Sequence, residues 1–449
     1  MSPDQSSPLH LAWLRVRDSL WFVPSVAVVA ATVLAILAVQ IPTPDSTNEL
    51  ARLWLFGGGA AGARSMLSAI AGSLITVTGV VFSVTIVALQ LASSQFTPRV
   101  LGSFVADRVN QAVLGVFIGT FTYTLLVLRT IRSAADDREL FVPHVAVTLA
   151  LLLLLLSIAA LIIYINHSAR SIQASVILHR ETLRTLGRID VLFPERVSHP
   201  GRDISDGAQS DPLPAGDPGM VTATKSGYLQ ALHAESLWTL QDGHRMRPIN
   251  IRMEIPVGAF VFPGKRLATV WPADAVDERL ERSVRAAFAL GPERTIEQDV
   301  EFGLIVIVDI ALRALSPGIN DPTTAMQCID RLTEVLAALG TREPPSSKRQ
   351  SPDGTIRLLM RSITFSGTVS LAFDQIRLFG AENPAIAGRL LQSLRELASV
   401  VPASLHETLQ AQAAAVVQQS RRSIRDTDAL QIIERLAVIG LEPQVVQGT

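Results

Sequence analysis

The chain has 449 residues, an apolar fraction of 48%, 18% charged residues and a net charge of −1, with a mean hydropathy of +0.34. That balance speaks against a single small soluble domain and against a polybasic nucleic-acid binder; it calls for long apolar segments joined to an ordinary soluble part. A lone cysteine, Cys328, excludes an intrachain disulfide and a cysteine-cluster zinc site, and is compatible with a reducing compartment.

Four apolar runs can each cross a hydrocarbon core of roughly 30 Å at about 1.5 Å per residue. The first, about 20–41, follows Arg15 and Arg17. It exceeds the roughly 7–15 residues of a signal-peptide core, so a retained helix is expected. The second covers about 66–91, and the third about 111–128, closed by Arg129 and Arg132. The fourth, about 141–165, contains LALLLLLLSIAALIIY. Near these runs Arg15, Arg17, Arg99, Arg108, Arg170, Arg180 and Arg184 would lie on one side, against Arg52, Arg64, Arg129, Arg132 and Arg138 on the other. The excess favours cytoplasmic N- and C-termini. A multi-pass protein of the bacterial inner (plasma) membrane is expected, with its long C-terminal part in the cytosol.

The second run carries hydroxyls and amides inside apolar sequence, in GVVFSVTIVALQLASSQFTPR. On a helical wheel Ser73, Thr76, Ser83, Gln90 and Ser94 share one stripe, with Gly72 and Gly79 beside it. Gly72 with Thr76, and Gly79 with Ser83, are small-xxx-small pairs that let helices approach closely. Thr78 and Thr85 fall on the opposite side, where each hydroxyl can bond its own helix. An amide left unsatisfied in hydrocarbon is costly, so the stripe is expected to face away from lipid. Two readings stay open: a packed helix seam, or the wall of a water-filled path around an oligomer axis. No acidic or basic residue lies in this run, which speaks against a carboxylate relay. Pro98 disfavours helical geometry at Thr97 and predicts an elbow.

Helical spacing in ARSIQASVILHRETLRTLGRIDVLF predicts that the fourth helix continues as a connecting helix over 167–194. The Gly-, Pro- and Asp-rich HPGRDISDGAQSDPLPAGDPG places a flexible linker at 195–218. MVTATKSGYLQAL and INIRMEIPVGAFVFPGKRLATVW alternate and flank a short helical piece, AESLWTLQDG, which predicts a small β-barrel-like module over 219–271. The remainder, 272–449, is expected to be mainly helical, with one strand at Thr355–Phe365 after the loop TREPPSSKRQSPDG. GAFVFPGK is not a phosphate loop: five residues separate its glycines, and Arg266 stands where Ser or Thr is needed. A β-turn fits it better.

The most distinctive soluble stretch is RTIEQDVEFGLIVIVDIALRALSPGINDPTTAMQCIDRL. Its first helix is apolar almost all round and so should be buried, with Asp309 and Arg313 four apart for an ion pair. SPGIN breaks it, and Asp321 is placed to cap a second helix that starts at Pro322. A capped corner is one reading. The other is an ion or small-ligand site made by Asn320, Asp321, Thr323 and Thr324, with Asp309 and Arg313 behind them. A cation there could draw on Asp299 or Glu301, though the spacing matches no recognised loop. No nucleophile, zincin or dinucleotide motif occurs, no histidines pair at metal-ligand spacing, and His144 suits packing near a membrane edge. Neither enzyme activity nor a cofactor nor a metal is expected.

VVFSVTIVALQLASSQFTPRVL, SGYLQAL and the long RTIEQD stretch together resemble the bacterial predicted membrane proteins grouped as domain of unknown function 2254. The resemblance implies an integral membrane N-terminal part and a soluble C-terminal part, and brings no activity or catalytic residues. The expected fold is therefore an α-helical integral membrane protein, with about four transmembrane helices and a cytosolic α+β part. The expected partners are the lipid bilayer, further copies of the chain and an ion or small ligand. The expected function is an oligomeric channel or transport-like protein with a cytosolic regulatory domain. Its rival is a membrane-anchored sensor or scaffold.

Overall fold

The computed structural model describes residues 19, 21–41, 55–100, 104, 107–132, 141–193, 216–234, 237, 249–344, 347–350, 356–361 and 363–438. Nearly all of the expected linker and most of AESLWTLQDG lie outside the described residues. The chain divides into two compact units, one within Leu9–Val176 and one within Ile177–Thr449.

The first unit is built from α1 (Phe22–Gln40), α2 (Ala60–Gln95), α3 (Arg108–Thr130) and α4 (His144–Ser171). All four are long and apolar enough to cross a membrane. At 36 residues, α2 extends about 54 Å, well beyond a hydrocarbon core of about 30 Å. The third helix is the hub. It packs on the other three, and 56% of its most apolar stretch is buried, against 22–28% for the others. The outward rows of the remaining helices, such as Val29, Val33 and Ile36 on α1 and Leu152, Leu155 and Ile162 on α4, are exposed and suit lipid.

Small residues bring these helices together: Ala31, Ala35 and Ala38 of α1, Ala60 and Ala63 of α2, and Ala146 and Ala150 of α4 form one core with Tyr123 and Val127. Buried hydroxyls find partners inside the unit, as an apolar surround requires. The Tyr123 hydroxyl donates to the Ala146 carbonyl at 2.9 Å. Tyr164 and Thr85 share a hydrogen bond of 2.8 Å between α4 and α2. Ser157 donates to Thr120 at 3.2 Å. At the ends, His144 Nδ1 lies 2.6 Å from the Phe56 carbonyl, and Asp107 caps α3 while accepting from His167 Nε2 at 2.9 Å. The elbow after α2 is present as a 3-10 turn at Pro98–Val100.

The fourth span does not continue unbroken. It stops at Ser171, and α5 (Ala174–Leu192) is a separate helix. At the joint the Gln173 N–H reaches the carbonyl of Arg170, and the Val176 N–H that of Gln173, so i−3 bonds interrupt the i−4 ladder.

The second unit contains β1 (Gly219–Thr222), β2 (Gly227–Leu232), β3 (Ile249–Met253), β4 (Phe260–Val261), β5 (Arg266–Trp271), α6 (Glu278–Ala287) and β6 (Phe288–Gly291). There follow α7 (Val300–Ala314), α8 (Pro322–Gly340), β7 (Lys348–Gln350), β8 (Ile356–Leu359), α9 (Phe365–Phe379), α10 (Pro384–Val400), α11 (His406–Ser423) and α12 (Thr427–Val438). The strands form a five-stranded sheet in the order β1-β5-β3-β8-β7 and a three-stranded sheet β4-β2-β6.

Neither sheet closes into a barrel among the described residues. Nor is the β structure confined to 219–271, because β6 pairs antiparallel with β2 and β8 pairs parallel with β3. The strand expected at Thr355–Phe365 ends at Leu359. Thr364 instead caps α9, its hydroxyl accepting from the Gly367 N–H. Part of the loop expected before it is β7, paired with β8. The turns flanking β4 carry Gly258 and Gly264 at φ +86° and +88°, which accounts for both glycines of GAFVFPGK without a phosphate.

Ile251, Val270, Leu229, Val261 and Leu358 fill the core between the sheets, closed by Leu280 and Val284 of α6. The helices stack beyond: α7 on α8 and α9, α8 on α10, and α10 on α11 and α12. As expected from its all-round apolarity, α7 buries Leu304, Ile307, Ile310 and Ala311. It also approaches α5 so closely that a Cβ on Gly303 would collide with Thr185.

Candidate functional site

Within one protomer α2 turns its apolar and alanine row inward: Ala63, Leu67, Ile70, Ala71, Leu74, Val81, Thr85, Ala88 and Ala92 are buried. The polar stripe faces the other way. Gly72, Ser73, Thr76, Gly79, Ser83, Gln90 and Ser94 are all exposed, and a Cβ added at Gly72 or Gly79 would meet nothing within 4 Å. Thr76 and Ser94 return their hydroxyls to their own helix, on the Gly72 carbonyl at 2.9 Å and the Leu91 carbonyl at 3.2 Å. The Gln90 amide has no protein partner among the described residues. Thr85 on the opposite side does bond its own helix, at the Val81 carbonyl, and its second contact is Tyr164.

The close helix approach inside the unit is made elsewhere. Gly115 and Gly119 of α3, a G-x-x-x-G spacing, face α1. A Cβ at Gly115 would lie 3.3 Å from the Ala27 Cβ, and one at Gly119 would lie 3.4 Å from the Ala27 carbonyl oxygen. The signal for this seam stands in the third run as GVFIG.

In the second unit the corner between α7 and α8 is a capped turn. Asp321 Oδ1 accepts from the Thr324 N–H at 3.0 Å, and Oδ2 from the Thr324 hydroxyl at 2.6 Å. These bonds hold the Asp321 carboxyl below the usual carboxylate range. Asn320 takes the left-handed conformation at φ +49°, one that Asn tolerates. Asn320, Thr323 and Arg313 are exposed, and Asp309 is half-buried on α7. Of the six candidates, Asp321 and Thr324 are joined by hydrogen bonds, and both carboxylate oxygens are spent on the cap.

A cavity of about 270 Å³ lies elsewhere in this unit. Its apolar wall includes Phe193 after α5, Leu232, Met253, Ile255, Val257 and Met360. Its polar end carries Gln298, Asp299, Glu301 and Arg361. Asp299 is committed: its side chain caps α7 at the Phe302 N–H, and Oδ2 pairs with Arg294 at 2.7 Å. Burial pushes its carboxyl up, against the pull of that guanidinium. Gln298 is committed to the Leu232 backbone, its Oε1 accepting from the N–H at 2.9 Å. Glu301 and Arg361 make no hydrogen bond or ion pair among the described residues. Burial, then the Asp299 charge, pushes the Glu301 carboxyl up, while Arg294 and Arg361 pull it down. The sequence offered Asp299 and Glu301 only as cation ligands. Arg361 and the apolar wall come from segments spread over 192–363, which no local spacing connects. Among the described residues, no group of three His, Cys, Asp or Glu is placed to hold a metal ion.

Comparison with known proteins agrees with the helices. The family model described as Predicted membrane protein (DUF2254) matches residues 17–396. An uncharacterized protein of Mycobacterium bovis is 35% identical over 421 residues, 92% of this chain and 78% of its own length. Two uncharacterized proteins of Mycobacterium tuberculosis, from strains H37Rv and CDC 1551, are 35% and 34% identical over the same shares. No solved structure matches the chain. With four helices able to span a bilayer and a match over most of its length, the chain belongs to the predicted membrane protein family of domain of unknown function 2254.

Proposed function

We propose that the protein is a homo-oligomeric channel or transport-like protein of the bacterial inner membrane, in which α2 lines the path and the second unit regulates it from the cytosol. One observation carries this reading: the polar stripe of α2 is open in the protomer. Hydrocarbon cannot satisfy the Gln90 amide or solvate the Ser83 hydroxyl, so a stripe of this kind is covered by another chain or by water. Phe117, Tyr123, Tyr164 and the alanines of α1 and α4 fill the space between the four helices. A path therefore runs between copies rather than through one, as closed cyclic symmetry allows. The rival reading, a membrane-anchored sensor or scaffold, draws its support from the cavity beside Glu301 rather than from the Asp321 corner.

Ion flux through liposomes holding folded, inserted protein tests the proposal, with wild type beside Ser83→Leu and Gln90→Leu. Sodium, potassium or chloride flux that either substitution reduces is the expected result. Absence of flux in the wild type, or flux untouched by both substitutions, overturns it. Cysteines placed at Thr76, Ser83 and Gln90 give a second readout, since each should react with a polar thiol reagent in the intact membrane. Cys328 adds little background because it is fully buried and burial pushes its thiol up.

A further inference from the structure

We infer that the cavity of the second unit binds a small apolar zwitterion, such as a free hydrophobic amino acid, between Glu301 and Arg361. Five polar side chains line the cavity, and two are spent: Asp299 on Arg294 and the start of α7, Gln298 on the Leu232 backbone. Of the other three, Ser347 is neutral, while Glu301 and Arg361 carry opposite charges and are not paired with each other or with another described residue, yet Arg361 is near enough to Glu301 to pull its carboxyl down.

A half-buried carboxylate facing an apolar wall calls for a cationic donor, and an exposed guanidinium at the same cavity calls for an anion. One molecule meets both demands when it holds an ammonium and a carboxylate on the same carbon. Its remaining body would be apolar, because the rest of the lining is apolar apart from Ser347, with Met253, Ile255, Val257, Leu232 and Phe193 among it. Size selects further. A volume of about 270 Å³ falls just below the roughly 300–1,000 Å³ of drug-sized sites, which suits a molecule the size of leucine, methionine or phenylalanine.

The site also has a rigid floor. Asp299 and Arg294 pack against Gly258, where a side chain would collide with both, so the turn before β4 and the start of α7 are held together. Leu192 and Phe193 contribute the end of α5, and Arg342 fixes that end by donating to the Phe193 carbonyl at 3.1 Å and pairing with Asp190. A ligand here touches α5, which follows α4 after two intervening residues.

Calorimetric titration of the full-length protein in detergent tests the inference, with L-leucine, L-methionine and L-phenylalanine as probes. Two analogues of leucine complete it: isoamylamine, which lacks the carboxylate, and 4-methylpentanoate, which lacks the ammonium. Saturable binding of at least one amino acid is expected, with the leucine analogues weaker by about tenfold or more. Glu301→Gln and Arg361→Gln should each weaken the bound amino acid by a similar factor. Both side chains are at least partly exposed, so unchanged thermal unfolding of the two variants is expected and would separate lost binding from lost fold. No saturable binding of any of the three amino acids overturns the inference. So does equal affinity for leucine and its one-charge analogues, or full affinity in the correctly folded Glu301→Gln variant. The titration reads binding without transport, and its outcome is independent of the flux experiment.

Discussion

Two helices of the first unit, α3 and α2, carry the same small-residue signature and meet opposite surroundings. Gly115 and Gly119 of α3 lie against α1 around Ala27, where an added Cβ would already be in contact at 3.3–3.4 Å. Gly72 and Gly79 of α2, each followed four residues later by Thr or Ser, face open space in the protomer. A small-xxx-small spacing thus marks a surface able to accept a close neighbour, and the neighbour's identity is a separate question. On α3 it is α1 of the same chain. On α2 nothing among the described residues of the protomer fills that place, which is why that face bears the functional proposal.

The largest effects are expected from adding bulk at each seam. Gly119→Leu should destabilise the first unit by about 1–3 kcal/mol through overpacking against Ala27, lowering the unfolding temperature in detergent. Gly79→Leu should leave protomer stability within about 0.5 kcal/mol while shifting the oligomer toward smaller species by sedimentation or native mass measurement. Equal destabilisation by both would erase the distinction drawn between the seams.

A smaller effect is expected at the corner of the second unit. Asp321→Ala should cost about 0.5–2 kcal/mol, the ordinary value of a lost cap. Because the folded-state pKa of Asp321 is depressed, this contribution is present above the unfolded carboxyl pKa of about 3.9 and is lost as pH falls through the folded value. The stability gap between wild type and variant should therefore be constant near neutrality and close in acid, as read by denaturant titration over pH. A gap that widened in acid would contradict the bonds assigned to Thr324. The smallest effect belongs to Thr85→Val, which removes the bond to Tyr164. A loss near 0.6 kcal/mol is expected, the average for hydrogen bonds between membrane helices. The same substitution should leave ion flux unchanged, since Thr85 is on the buried side of α2.

Much of the architecture is legible in the linear sequence. The four spans are written in runs of Leu, Ile, Val and Ala, and lipid rewards such runs whatever surrounds them. Asp321 before Pro322 announces a helix start because capping is local chemistry. The joint at Ile172–Gln173 is not legible, since helical spacing continues on both sides of it and contains no proline or glycine. The extra strands were also hidden. Phe288–Gly291 and Lys348–Gln350 are short and sit beside helices or loop sequence, and they become strands because β2 presents an edge for β6 and β8 one for β7.

Properties that depend on a residue and its near neighbours are set along the chain: apolar length, caps, glycine turns and the polar stripe on α2. Which face of α2 packs inward was decided only in the tertiary structure. The alanine row fits closely against α3 and α4, and dispersion over that fit outweighs the few hydrogen bonds the stripe could offer. The cavity is likewise tertiary, because Phe193, Met253, Glu301 and Arg361 are brought together only when α5, the strands and α7 have packed. Charge and shape at a site of that kind are sums over distant segments, and no local pattern encodes them.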